Sequence, residues 1–166
     1  AAVFITTDKV YENKEWIYGY RENDKLGGND PYSSSKAAME LAITSWRASF
    51  CGLKSHQTSK ISIATARAGN VLGGGDWSDN RIMPDIVRAI TNHKSIELRN
   101  PNAKRPWQHV LEPLLGYLML IERSFDYQVR NNCNVDNPYA NAFNFGPNIC
   151  SNKSVKDLVE EVLSIW

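Results

Sequence analysis

The sequence predicts an α/β fold, a partial doubly wound parallel sheet with part of a smaller α/β region, and three observations carry that expectation. Ala1 to Ile5 is a short continuous apolar run of the kind that forms a buried parallel strand, and Lys60 to Ala66 alternates and then runs apolar as a second strand. Each stops at a polar cluster, Thr6-Thr7-Asp8-Lys9 and Arg67-Ala68-Gly69-Asn70, and open α/β sheets gather ligand-binding side chains at the carboxyl ends of their strands. Between the two runs lies a long helical pattern opening at Asp30-Pro31-Tyr32. Its boundary is chemical: Asp30 can accept from the first free N–H groups of a helix, and Pro31 fits the first helical position.

The remaining elements follow from period and punctuation. Residues 11 to 30 contain Gly19, Gly27 and Gly28 without a clear period and predict a long loop, a length that favours an active-site segment over a linker. The helix from Tyr32 carries Met39, Ala42, Ile43, Trp46 and Phe50 as an apolar stripe and ends at Cys51-Gly52. Gly73-Gly74-Gly75 is not followed directly by a helix, so it does not read as a phosphate-cradling turn. Met83 to Asn92 predicts a short helix and Ser95 to Leu98 a short strand. Arg99 to Trp107 is a basic stretch in which Pro101 and Pro106 forbid helix; it suits a diphosphate ligand or a plain solvated loop equally. Pro113 opens a helix with Leu114, Tyr117, Leu118 and Ile121 on one face, Asp126 to Ala140 reads as loop, and Ala142 to Phe145 as a strand. A last helix from about Ser154 sets Val155, Leu158, Val159 and Val162 on one side, with Asp157 completing a capping arrangement.

Composition narrows the function classes. The chain has 166 residues, 42% of them hydrophobic, and a formal net charge of +1, which gives no basic surplus for nucleic acid or anionic lipid. No apolar run approaches the roughly 20 residues a membrane-spanning helix needs. The expectation is a soluble, cytoplasmic protein without membrane or nucleic-acid partners. Cys51, Cys133 and Cys150 show no metal-ligand or redox-pair spacing and are expected to be free thiols, and no metal site is expected. The chain starts at Ala1 within a strand-like run, so it is expected to be an interior piece of a longer protein.

Tyr32 and Lys36 stand four apart at the start of the long helix and therefore project from one face of it. A cation beside a phenol favours the phenolate, which makes such a pair a candidate general base with its electrostatic helper. The spacing alone equally fits a solvated helix face.

Thr7 at a strand end, with Tyr32 and then Lys36, matches the Ser/Thr, Tyr and Lys set of the extended short-chain dehydrogenase/reductases, NAD-dependent Rossmann-fold enzymes acting on nucleotide sugars. Residues 6–11, 16–22, 30–36, 67–77 and 99–113 together resemble the nucleotide-sugar 4,6-dehydratases of that family, with CDP-glucose the favoured substrate and deoxysugar or O-antigen-type polysaccharide synthesis the implied setting. The resemblance implies that residues 1–72 are the C-terminal part of the NAD-binding domain and 73–166 mostly the substrate-binding domain with interleaved Rossmann elements. The glycine-rich turn and the acidic residue that hold the adenosine half of NAD have no counterpart in these residues.

Position by position, the resemblance makes Tyr32 the base at the sugar O4, Lys36 its helper and ribose ligand, Thr7 a hydrogen-bonding partner of O4 and Asp8 the acid at the departing C6 hydroxyl. Val71 falls near the nicotinamide, and Asn70, Arg81, Arg105 and Asn144 at substrate-contacting positions. The related dTDP-glucose dehydratases carry Glu after this Asp as the C5 base, whereas here Lys9 follows Asp8. Lys9 either works as a base with a depressed pKa or acts as an electrostatic or acid group while another base serves; both readings stand. The family also implies a homodimer packed through the Tyr32–Lys36 helix. The rivals are an epimerase or reductase of the same family and a non-catalytic nucleotide-sugar-binding piece.

Overall fold

The structure, a computed structural model, describes residues 1–51, 61–131 and 136–166, and they fall into two compact units. Unit 1 comprises Ala1–Gly69 and Pro113–Phe145; unit 2 comprises Asn70–Glu112 and Gly146–Trp166. The chain passes from one to the other three times.

In unit 1, strands β1 (Ala2–Ile5), β2 (Ile63–Ala68) and β6 (Ala142–Phe145) form a parallel sheet in the order β1-β2-β6. Val3 lies beside Ala64 and Ala66 beside Phe143. The central strand is buried along its whole length, as a strand covered on both faces should be. Strand β1 departs from that expectation: Phe4 and Ile5 are 39% and 44% exposed, because among the described residues β1 pairs only with β2 and forms an edge. Strand β2 also runs on through Arg67 and Ala68, both buried, so the expected polar cluster after the strand is partly its last buried turn.

Helix α1 (Pro31–Phe50) begins where the sequence predicts: Asp30 accepts from Ser33 N at 3.0 Å and from Ser33 Oγ at 2.6 Å. Gly28 makes that start possible, since a Cβ there would lie 2.6 Å from the Ser33 backbone. The helix ends at Cys51. Its inward face coincides with the apolar stripe only in part: the buried residues are Ser33, Ala37, Glu40 and Ile43, of which Ile43 alone belongs to the stripe, while Trp46 is 59% exposed with its ring tilted against Phe50, 4.7 Å away. The reason is complementarity, because Glu40 meets Thr6, which follows β1, and Thr65 and Arg67 of β2.

Helix α3 (Leu111–Arg130) repeats the lesson. Pro113, Leu120 and Ser124 are buried; of the expected stripe of Leu114, Tyr117, Leu118 and Ile121, only Tyr117 packs inward and the other three are exposed. A Cβ on Gly116 would strike the Phe145 ring, Tyr117 packs edge-on against that ring, and Ser124 Oγ lies 2.6 Å from Ser62 Oγ. The helix also runs five residues into the predicted loop from Asp126. Side chains alternate along a strand, so Thr65 and Arg67 face α1 while Ser62 and Ala68, with its neighbour Phe145, face α3. Helices therefore cover both faces, which is the doubly wound arrangement.

Unit 2 is built from short pieces. Strand β3 (Val71–Leu72) pairs in parallel with β5 (Gln108–His109), and β4 (Lys104–Pro106) pairs antiparallel with β7 (Asn152–Ser154). The proline-broken stretch is thus an edge strand and not only a loop, a place where proline is tolerated. Ser95–Leu98 takes no strand conformation, having no partner to pair with. Helix α2 (Ile82–Thr91) buries Pro84 and Ile86; helix α4 (Val155–Ile165) buries Val159 and has the full reciprocal cap between Ser154 and Asp157 expected of it. Cys51 and Cys150 are free thiols, and Cys133 lies outside the described residues.

Candidate active site

The end of β1 leads into a 3-10 turn, Asp8–Val10, for which Thr7 is the cap. The Thr7 side chain is buried; its hydroxyl donates to Asp8 Oδ1 at 3.0 Å and accepts from Lys9 N at 3.4 Å. Thr7 and Asp8 are therefore held by each other before any ligand arrives. Lys9 turns the other way. Its ammonium lies 5.9 Å from the centroid of the Tyr32 ring, a contact that ties the turn after β1 to the first turn of α1. Tyr32 is 52% exposed, and Lys36, one helical turn on, is half-buried. The Lys9 charge, with two hydrogen bonds from Ser33, also helps hold the Asp30 carboxyl below its usual range: the Ser33 bonds contribute most and Lys9 least.

Beneath this surface lies a set of charges that hydrophobic periodicity does not reveal. Glu40 is wholly buried and accepts from Thr6 Oγ1 at 2.5 Å, Thr65 Oγ1 at 2.8 Å, Arg67 Nε at 3.0 Å and Arg67 Nη2 at 2.9 Å. Burial pushes the Glu40 carboxyl up, but the bonds from Arg67, Thr6 and Thr65 outweigh it and leave the pKa lowered. Arg67 uses its remaining Nη1 to donate to Tyr11 OH at 2.8 Å and to the Glu22 carbonyl at 2.9 Å. Tyr11 donates onward to Asn144 Oδ1 at 2.6 Å, and Asn144 Nδ2 donates to the Tyr20 carbonyl at 3.0 Å. Asn144 thus has both ends of its amide engaged within unit 1. The signal for this network was a single Glu four residues after Lys36, on a helix read for its apolar positions.

The expected residues divide between the units. Thr7, Asp8, Lys9, Tyr32, Lys36 and Asn144 belong to unit 1; Asn70, Val71, Arg81 and Arg105 belong to unit 2. Within unit 2, Val71 is 43% exposed, Arg81 precedes α2, and Arg105 is exposed on β4 directly opposite Lys153 of β7. Among the described residues no group of acidic, His or Cys side chains could hold a metal ion, and no helix is long and apolar enough to cross a membrane.

The sequence profile of the NAD dependent epimerase/dehydratase family matches residues 1–135. CDP-glucose 4,6-dehydratase of Salmonella typhimurium is 42% identical over all 166 residues, which span 44% of that protein. Among solved structures, dTDP-glucose 4,6-dehydratase of Bacillus anthracis in complex with NAD superposes with a TM-score of 0.71 at 21% identity, covering 98% of this chain and 45% of that one. UDP-N-acetylglucosamine 4-epimerase of Methanobrevibacter ruminantium does so with a TM-score of 0.73 at 18% identity, covering 98% and 46%. The chain therefore spans less than half the length of these relatives, and the two superpositions show a Rossmann-type α/β fold.

Proposed function

The chain belongs to the NAD dependent epimerase/dehydratase family, and from that premise we propose that the full-length protein converts CDP-D-glucose to CDP-4-keto-6-deoxy-D-glucose, a step of deoxysugar synthesis. The observation that supports this reading best is the contact of Lys9 with Tyr32: it brings next to the candidate base the ammonium that follows Asp8, a group for which a plain reductase has no use. The 42% identity to a CDP-glucose 4,6-dehydratase supports the choice of sugar.

The residues present suit the nicotinamide end of the cofactor, with an exposed tyrosine, a half-buried lysine one turn away and a threonine hydroxyl at the strand tip. Bound NAD would supply the acceptor for the hydride leaving C4 and its later return to C6. Tyr32 takes the O4 proton, Lys36 holds a positive charge beside the phenolate and binds the ribose, and Thr7 orients O4. The resulting ketone acidifies the C5 hydrogen; its proton goes to a base, and Asp8 gives a proton to the C6 hydroxyl, which departs as water. Lys9 serves this elimination, as its base or as the cation that stabilises the charge developing on O4. In unit 2, Arg105 is the diphosphate ligand, with Asn70 and Arg81 contacting the nucleotide sugar and Val71 lining the nicotinamide side. Asn144 contacts the sugar from unit 1. A homodimer through α1 would cover the exposed Leu41 and Trp46.

The test is incubation of the full-length protein with NAD and CDP-glucose, followed by detection of a 4-keto-6-deoxy sugar through its absorbance in alkali. Formation of that product is expected. Interconversion of C4 epimers without loss of water would replace the reading by the epimerase one.

A further inference from the structure

Glu40 and its partners Thr6, Thr65 and Arg67, beneath the Tyr32 helix, have no part in the chemistry just described, yet Glu40 is one of the few fully buried charges of the described residues. Its connectivity is specific. The turn that carries Thr7, Asp8 and Lys9 is gripped immediately before by Thr6, which donates to Glu40, and immediately after by Tyr11, which accepts from Arg67. Glu40 and Arg67 are joined as a two-pronged pair, 0% and 4% exposed. Glu40 itself sits on α1, four residues after Lys36 and eight after Tyr32, so the three share a gently drifting stripe of one helix.

From these contacts we propose that Glu40 is a positioning residue, whose carboxylate fixes the rotation and register of α1 against β1 and β2 and thereby sets Tyr32 and Lys36 opposite Thr7. The inference rests on the reading of Tyr32 as the base. An apolar anchor can slide by a rotamer with little loss, whereas a carboxylate bound by a planar guanidinium and two hydroxyls has one geometry that satisfies every partner. Replacing a buried ion pair by apolar residues is often neutral for stability, so stability gives little reason to keep one here. Position does. A displacement of about 1 Å at a reacting group can cost on the order of a hundredfold in rate, and a rigid helix passes a shift at Glu40 on to Tyr32 roughly 12 Å along its axis.

The experiment compares full-length wild-type enzyme with Glu40→Gln and Glu40→Asp. Glu40→Asp keeps the charge facing Arg67 and shortens the reach by one methylene, which guards against a Glu40→Gln chain that fails to fold. The measurement is single-turnover reduction of bound nicotinamide by nucleotide sugar, well below the melting temperature, with KM and Tm recorded in parallel. Both variants are expected to slow this half-reaction at least tenfold while KM stays within twofold. A lowered Tm with an unchanged rate per folded site would reduce Glu40 to ordinary structural support and overturn the proposal. Nicotinamide reduction precedes either elimination or epimerisation, so the comparison holds for both. Crystal structures of wild type and Glu40→Asp add a readout independent of turnover. The separation of Tyr32 OH from Thr7 Oγ1 is expected to change by about 1 Å, and an unchanged separation overturns the proposal even where the assignment of Tyr32 as base has failed.

Discussion

Two arginines show how differently the two units use the same side chain. In unit 1, Arg67 is 4% exposed and spends its guanidinium on Glu40, Tyr11 and the Glu22 carbonyl. In unit 2, Arg105 is exposed; among the described residues its guanidinium bonds only the Lys104 carbonyl, and Lys153 stands directly across the β4–β7 ladder from it. Like charges set opposite each other on a ladder repel, so that pairing is tolerable in water and improved by an anion. A saturated buried charge can only hold its surroundings in place, whereas an unsaturated exposed one is available to a ligand. The same side chain is thus saturated and buried in unit 1 and exposed in unit 2.

The comparison breaks hardest at the exposed phenol that the interior of unit 1 is arranged to present. Tyr32→Phe in the full-length enzyme is expected to lower kcat by about a thousandfold, inside the range ascribed to general acid–base groups, with NAD still bound; stopped-flow nicotinamide reduction checks this. A loss under tenfold would leave unit 1 arranged around nothing reactive. Next in size is Arg67→Met, which leaves Glu40 as an uncompensated buried charge. It is expected to cost about 3–5 kcal/mol, measured by urea unfolding. Acid should narrow that deficit. The paired Glu40 has a lowered pKa, so it contributes stability above its ordinary value of 4.5 and loses it as pH falls through the folded value, whereas the unpaired carboxyl of the variant protonates more readily. A deficit that does not depend on pH would mean that Arg67 acts through packing alone.

Arg105→Ala sharpens the other half of the contrast. It is expected to raise KM for the nucleotide sugar about tenfold with Tm unchanged, the reverse of Arg67→Met, and steady-state kinetics with a thermal melt distinguish the two. The smallest effect belongs to the cap of α4, which follows β7 directly. Ser154→Ala removes the acceptor for Asp157 N, 3.0 Å away, and should cost about 1 kcal/mol without altering KM, as read by calorimetry and the same kinetics.

Legibility in the sequence followed the range of the interactions involved. The start of α1 at Asp30-Pro31 and the box at Ser154 and Asp157 were readable because cap and capped group lie three residues apart. The inward faces of α1 and α3 were not, because their partners are distant: Glu40 meets Arg67 across 27 positions and Ser124 meets Ser62 across 62. A search for apolar period passes over a helix that turns serine, glutamate and proline inward. For the same reason β4 was hidden behind its prolines, its partner β7 lying some fifty residues on. At the candidate site, order and spacing of Thr7, Asp8, Lys9, Tyr32 and Lys36 were visible in the sequence, while the contact of Lys9 with the Tyr32 ring became visible only in three dimensions.

Strand β1 has one further practical consequence. Among the described residues it pairs on one side only, and Phe4 and Ile5 are partly exposed, a surface that welcomes an extended segment of similar character. A laboratory preparation of residues 1–166 alone should therefore self-associate edge to edge and grow turbid on warming. Grafting a charged or proline-bearing strand ahead of Ala1 should keep it clear.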